Sequence, residues 1–211
     1  MRISIIGTGM IATEVISMLR TEGKGIEITS LFSHSDKDKA QSLAKANRIA
    51  RVYTDYTQLL KEDDADFVYI ALVNSAHYDY VRQALEADRN VIVEKPFTTS
   101  LSQAEELASL ARSRNLYLFE AVSLLHTPNF KLVKDSLTRI APIHLVQCNF
   151  SQYSSRFERY LQGDIAPAFN PKLGGGAIND LNVYNINTVI GLFGEPLTTT
   201  YYANRGHNGI D

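Results

Sequence analysis

A lysine, an aspartate and a tyrosine stand in this chain where each could act on a bound molecule. Lys95 lies in Asn90-Val-Ile-Val-Glu-Lys-Pro-Phe, where an apolar run of the kind that forms a strand buried on both faces ends in a charged pair, Glu94 and Lys95. Pro96 fixes its own φ, offers no N–H and steers Lys95 away from the helical region, so sheet pairing stops with Lys95 extended. Ligands bind at the carboxyl ends of strands in an open parallel sheet, and an ammonium there can meet a developing negative charge. The bland alternative is a surface lysine beside a strand end. Asp180, Tyr184 and Asn187 are spaced by four and three, on one face of a helix, with Ile178, Ile186, Val189 and Phe193 mostly on the other. Behind Gly174-Gly-Gly they suit a site wall; an exposed helix face is the alternative.

A phosphate-binding turn precedes both. Residues 3–6 form a short apolar strand, followed at once by Gly7-Thr8-Gly9-Met10-Ile11-Ala12 and a helix to about Arg20 with Ile11, Val15, Ile16 and Leu19 as its apolar stripe. This is the dinucleotide fingerprint with alanine in the third glycine position. Gly7 permits the tight turn, Gly9 lets backbone approach a pyrophosphate, and Ala12 lets the helix pack close to the strand. The helix start offers N–H groups and partial positive charge to the phosphates. A second strand, 26–32, ends in Ser33-His34-Ser35, where the adenosine ribose would be read. An NAD-specific site usually carries a carboxylate there. Ser33 and His34, with Lys37 and Lys39 nearby, instead suit a 2′-phosphate, so the cofactor is expected to be NADP or NAD, with NADP favoured. The alternative is a solvated helix start.

The elements that would position these groups alternate strictly. Helices are expected over 36–44, 57–62, 78–87 and 100–114, the last with a capping box from Ser102 to Glu105, and strands over 51–53, 66–72, 91–93 and 116–119. Leu72, Asn74 and His77 then fall in or beside the loop after the 66–72 strand, at the nucleotide crevice; a cap or turn is the plain reading of His77. Such alternation describes a doubly wound parallel sheet of α/β class over residues 1–121, a dinucleotide-binding domain. From 122 to 211 the pattern changes to a partial α+β domain: a helix over 128–137, strands over 143–150 and 198–203, and a helix from the glycines to about Phe193.

Bulk composition narrows the function classes. The chain has 211 residues, 45% apolar and 21% charged, with a net charge of −2 spread along it, which argues against nucleic acid or an anionic membrane as partner. Cys148, the only cysteine, sits in an alternating segment and reads as a small strand residue, not a nucleophile. No metal-ligand cluster is apparent. With no apolar leader or membrane-length run, the expected location is cytoplasmic.

Taken together, Gly7 to Ala12, Asn74-Ser-Ala-His77, Glu94-Lys95-Pro96 and Gly174-Gly-Gly-Ala-Ile-Asn-Asp-Leu-Asn-Val-Tyr184 resemble, in order and spacing, the motifs of the glucose-fructose oxidoreductase and inositol dehydrogenase family, Gfo/Idh/MocA. The resemblance implies an N-terminal Rossmann domain and catalytic roles for Lys95, at the nicotinamide, and for Asp180 and Tyr184, facing the substrate carbon. It implies Gly7, Thr8, Gly9, Met10, Ile11, Ser33, His34, Leu72, Asn74, His77, Glu94 and Lys95 as cofactor-binding residues. The tyrosine resembles the sugar and dihydrodiol dehydrogenase branch. Val73, Asn182 and Leu125 depart from the usual pattern. Family members continue through further strands that complete an open sheet, so an incomplete sheet, and homo-oligomerisation through it, are expected here.

The function this implies is hydride transfer between nicotinamide and a hydroxyl-bearing carbon of a sugar, polyol or related small alcohol. An ordinary tyrosine has a pKa of about 10, too high for an efficient base near neutrality, and a nearby ammonium such as Lys95 would favour the phenolate. The alternatives are a catalytically inactive nicotinamide-binding regulator on the same scaffold, or a non-functional piece of a longer dehydrogenase. Gln152, Tyr153, Arg156 and Lys172 fit many hydroxylated or anionic ligands.

Overall fold

A computed structural model describes residues 1–211. The chain divides into two compact units, Met1–Ala121 and Val122–Asp211.

In the first unit six strands, β1 (Arg2–Ile6), β2 (Glu27–Phe32), β3 (Arg51–Tyr53), β4 (Phe67–Ile70), β5 (Asn90–Val93) and β6 (Leu118–Glu120), form one sheet in the order β3-β2-β1-β4-β5-β6, and every pair is parallel. This is the doubly wound order, and it reverses direction between β1 and β4. The apolar runs read as buried strands are buried because helices cover both faces. On one face α1 (Met10–Thr21) and α2 (Lys37–Ala46) pack Ala12, Ile16, Ala40 and Ala44 against Ile3, Ile5, Ile28 and Leu31. On the other, Leu59 and Leu60 of α3 (Tyr56–Glu62), Val81, Ala84 and Leu85 of α4 (His77–Glu86) and Leu107 and Ala111 of α5 (Leu101–Ser113) meet Ile6, Val68, Ile70, Val91 and Val93. Ile5 and Ile6 point to opposite faces, as the two-residue strand period requires. Full burial of each such side chain contributes about 1.5–3 kcal/mol.

Polar groups at the opposite edge of the sheet are consumed by structure. Asp63, which ends α3 and is buried, accepts hydrogen bonds from the hydroxyls of Thr29, at 2.9 Å, and Ser30, and pairs with Arg51 at 2.8 Å. Asp64 beside it pairs with Arg2 and Arg51, whose donated hydrogen bonds hold its carboxyl well below the usual carboxylate range.

One expected cap is absent. The helix over 101–113 begins at Leu101 with Ser100 as N-cap, so Ser102 lies in the first turn and cannot form the reciprocal bond with Glu105; its hydroxyl pairs instead with that of Ser100 at 2.8 Å.

In the second unit, α6 (Pro128–Ser136), α7 (Phe157–Leu161) and α8 (Val183–Phe193) are connected through irregular stretches, short 3₁₀ turns and a π-helical turn before α8. Thr127 caps α6, accepting from the Phe130 N–H at 3.2 Å. The strands expected over 143–150 and 198–203 carry no ladder. A strand exists only through hydrogen bonds to a neighbour, and neither segment pairs with another. Their apolar residues are accordingly exposed, Leu145 by 76% and Tyr202 by 89%, and Cys148 is exposed with them. No helix is long and apolar enough to cross a membrane.

Candidate functional site

The carboxyl ends of β1, β4 and β5 lie side by side, and each following loop is stitched to the next strand. The Ala71 N–H donates to the Ile6 carbonyl, Glu94 to Ile70 and Ala121 to Val93, at 2.8–2.9 Å. The glycine turn, the loop holding Asn74 and the turn holding Lys95 therefore leave one edge of the sheet at its switch point, where open α/β sheets bind ligands.

Gly7 leaves β1 with φ +121°, donates to the Phe32 carbonyl at 2.9 Å, and lies so close to the Ala71 carbonyl oxygen that a Cβ would overlap it. Only glycine makes this turn. Gly9 differs: it is the N-cap of α1, its φ of −70° suits any residue, and a Cβ there would meet nothing within 4 Å. Its hydrogen atom therefore faces open space rather than protein. No side chain caps α1, and the first intrahelical bond runs from the Thr13 N–H to the Gly9 carbonyl at 3.1 Å. The first-turn N–H groups and the positive end of the helix dipole thus face the same open space, which fits a diphosphate. Ala12, fully buried, gives α1 its close seat on the sheet, while Thr8 is half-buried and Met10 and Ile11 are exposed beside the turn.

At the end of β2, Ser33 is buried and holds the turn: its N–H donates to the Tyr53 carbonyl at 3.1 Å, and its hydroxyl oxygen accepts from the Asp36 N–H at 3.2 Å. Asp36 in turn caps α2 through the Lys39 N–H at 2.9 Å. His34, Lys37 and Lys39 are exposed around this turn. Of the expected ribose contacts, His34 is therefore open to a ligand and Ser33 is engaged in the fold.

His77 requires a correction. The expectation of a loop residue open to the nucleotide fails, because His77 is the first residue of α4 and is completely buried. Its Nδ1 lies 2.9 Å from the Pro96 carbonyl oxygen and its Nε2 3.2 Å from that of Leu72. The ring thus ties the loop after β4 to the turn bearing Lys95. Burial lowers its pKa below the ordinary 6.5, outweighing the carbonyls of Pro96, Leu72 and Phe97 and the charge of Glu94, all of which favour the imidazolium. Asn74 opens the 3₁₀ turn Asn74–Ala76, half-buried like Leu72.

Lys95 is half-buried, and the peptide bond to Pro96 is cis. The residues around it are each pinned from a different element. Glu94 accepts from the Tyr69 hydroxyl of β4 at 2.5 Å, Pro96 meets His77 of α4, and the Phe97 N–H donates to the Glu120 carboxylate of β6 at 2.8 Å. Tyr69 and Glu120 are absent from the residues singled out in the sequence. The available signal for Glu120 was a charged residue at the carboxyl end of the strand beside β5, in register with Val93.

In the second unit the glycines open the helical run of Asp180 and Tyr184 by close approach. Gly175 lies against the carbonyls of Pro167 and Ala168, which leave no room for a side chain, and Gly176, beside the carboxylate of Asp211, has a φ of +119° that disfavours one. Asp211 caps the run, accepting from the Ile178 N–H at 2.9 Å. The run is not one α-helix. A π-helical turn spans Ile178–Asn182 and α8 begins at Val183, so the interval from Asp180 to Tyr184 crosses from i→i+5 to i→i+4 bonding and the simple face argument does not hold across it. Such turns are frequent at functional sites. The Tyr184 ring stands edge-on to Phe150, centroids 5.4 Å apart, whereas the Asn187 amide turns back to the Val183 carbonyl at 2.9 Å. Ile186 and Phe193, on the expected apolar face, are 39% and 43% exposed.

Residues 1–122 match a family model described as an oxidoreductase family with an NAD-binding Rossmann fold. The chain is 32% identical over its whole length to an uncharacterized oxidoreductase, YgjR, of Escherichia coli, and 31% identical over 92% of its length to a scyllo-inositol 2-dehydrogenase (NADP(+)), IolU, of Bacillus subtilis. It also superposes on the crystal structure of a 3-ketoreductase, KijD10, from Actinomadura kijaniata in complex with NADP and TDP-benzene, with a TM-score of 0.79, 31% identity and 92% of this chain covered. The chain spans 63% and 59% of the two relatives and 57% of the ketoreductase chain. On the glycine turn, the sheet order and these matches, the chain belongs to the Gfo/Idh/MocA oxidoreductase family.

Proposed function

We propose that this chain carries the cofactor-binding and part of the substrate-binding machinery of an NAD(P)-dependent dehydrogenase or reductase acting at a hydroxyl-bearing carbon of a sugar, polyol or related small molecule. The observation that carries this reading is the open space over Gly9 at the uncapped start of α1, which suits a dinucleotide diphosphate. Residues 1–121 would bind the cofactor and residues 122–211 contribute to substrate binding. Two relatives, a scyllo-inositol 2-dehydrogenase (NADP(+)) and a 3-ketoreductase seen in complex with NADP and TDP-benzene, support the substrate class and the cofactor. The absence of a carboxylate at Ser33 and His34, with Lys37 and Lys39 exposed nearby, supports NADP over NAD.

A bound nicotinamide would supply the hydride donor or acceptor. The residues of the chain do the rest. Lys95, held extended at the sheet edge, stabilises negative charge as the substrate oxygen gains it. Tyr184 exchanges a proton with a substrate oxygen, and Asp180 orients a substrate hydroxyl. Asn74, Leu72, Glu94, Met10 and Ile11 border the cofactor, with His77 acting through the two loops it joins. The exposed apolar residues of 143–150 and 198–203 support a homo-oligomer, and the lone cysteine and mixed charge support a cytoplasmic location.

Replacement of Lys95 by methionine tests the reading. Turnover of polyols and sugars with NADP should fall by about 10²-fold or more while the cofactor Kd changes less than about threefold; unchanged turnover would remove Lys95 from the chemistry.

A further inference from the structure

The turn bearing Lys95 lies between β5 and the segment leading to α5, and its flanking residues are fastened from other elements. Side chains of β4 and α4 hold Glu94 and Pro96, upstream and downstream of the lysine. The third fastening comes from β6. Glu120 occupies the carboxyl end of that strand, paired in register with Val93, and its carboxylate accepts the Phe97 N–H at 2.8 Å. Phe97 and Glu120 also line one cleft of about 350 Å³ between β6 and α5. A carboxylate only half exposed at a strand end, spent on a backbone N–H two residues from a lysine, is an expensive way to close a turn unless its placement matters.

We propose that Glu120 is a positioning residue for Lys95, fixing the turn through the Phe97 N–H and keeping a negative charge beside the ammonium. The inference rests on the reading of Lys95 as the group that stabilises charge on the substrate oxygen. Burial and three groups act on the Glu120 carboxyl. Burial and the charge of Glu94, at the end of β5, favour its neutral form; the Phe97 N–H and the charge of Lys95 favour the carboxylate; the net direction is upward, with burial the largest cause. Arg112 of α5 lines the same cleft. The carboxylate is therefore lost at a higher pH than an ordinary glutamate, and with it the charge beside Lys95.

Two variants separate the bond from the charge. Glu120→Gln keeps a carbonyl oxygen for the Phe97 N–H and removes the charge; Glu120→Ala removes both. Hydrogen exchange of the Phe97 amide reads the turn without any turnover. Exchange should quicken by about tenfold or more in the alanine variant and stay within about threefold of the parent in the glutamine variant. With NADP and a turned-over polyol, the alanine variant should lose on the order of 10²-fold in kcat, the cost of a misplaced group, with cofactor Kd nearly unchanged. The glutamine variant should lose less and show an acid limb in its kcat–pH profile displaced from the parent's. A Phe97 amide that exchanges equally in parent and alanine variant overturns the fastening, and an acid limb unmoved in the glutamine variant overturns the role of the charge. If Lys95→Met retains full turnover while Phe97 exchange responds as stated, the fault lies in the reading of Lys95, and Glu120 then positions the turn only.

Discussion

The Nδ1 atom of His77 lies 2.9 Å from the carbonyl oxygen of Pro96, so a buried imidazole at the start of α4 holds the residue that follows Lys95. Its other nitrogen faces Leu72, at the mouth of the adjacent loop. One ring thus links the two loops in which the expected nucleotide and nicotinamide contacts lie. It acts by position, with no face of its own open to a ligand.

Stability should report this burial through pH. The folded-state pKa of His77 is lowered below the ordinary 6.5, so above that value both folded and unfolded forms hold the ring neutral, and the group costs nothing. As pH falls below 6.5 the unfolded chain takes up the proton first, and folding stability declines until the folded-state pKa is passed. The urea midpoint of the parent should therefore drop between pH 7.5 and 5.5, and the drop should be smaller in His77→Gln. An equal slope in both removes His77 as the cause.

Two glycines in one turn should separate fold from binding. Gly7→Ala places a Cβ against the Ala71 carbonyl at a φ of +121°, and should destabilise the protein by about 2 kcal/mol or more, read as a lowered thermal midpoint. Gly9→Ala meets no protein atom within 4 Å and should leave the thermal midpoint unchanged. Its methyl group would instead occupy the space offered to the diphosphate, raising the NADP Kd by roughly tenfold, about 1.4 kcal/mol. Calorimetry and cofactor titration of the two variants make the comparison.

Charge at the end of β2 should decide between the two dinucleotides. Replacing both Lys37 and Lys39, which are exposed beside His34, with glutamate should raise the Kd for NADP by roughly tenfold and leave that for NAD within about threefold, because only NADP carries the 2′-phosphate. The effect should shrink in high salt. Equal losses for both cofactors would mean that these lysines serve the fold or the diphosphate instead.

Asp63 and Asp64 are neighbours in sequence with opposite consequences. Asp63 is buried among Thr29, Ser30 and Arg51, and Asp63→Ala should cost about 1–3 kcal/mol in urea unfolding, since the buried hydroxyls of Thr29 and Ser30 lose this acceptor while the partly exposed Arg51 keeps Asp64. Asp64 pairs with Arg2 and Arg51 in solvent, where water replaces a lost partner, and its removal should leave the urea midpoint close to the parent's at moderate salt.

The amino-acid order by itself determined what depends on neighbours along the chain. Apolar runs at 3–6 and 91–93, alternating with amphipathic stretches, dictate buried strands and covering helices, because side-chain period follows from local backbone geometry. The turn from Gly7 to Ala12 was equally legible, since a positive φ and a small third residue are requirements of single positions. What only tertiary structure decided depends on partners far away in sequence. His77, Glu120 and Tyr69 meet the Lys95 turn across 19, 23 and 25 residues, and no periodicity encodes which distant carbonyl or N–H a side chain will find. The strands expected over 143–150 and 198–203 show the same division: residue types suited to a strand state a readiness to pair, and a ladder forms only where a second strand presents its backbone. At Ile178–Asn182 the spacing of Asp180 and Tyr184 suggested a regular helix, but the run opens on a π-helical turn whose first N–H is capped by the carboxylate of Asp211, 33 residues away, a partner the spacing does not contain.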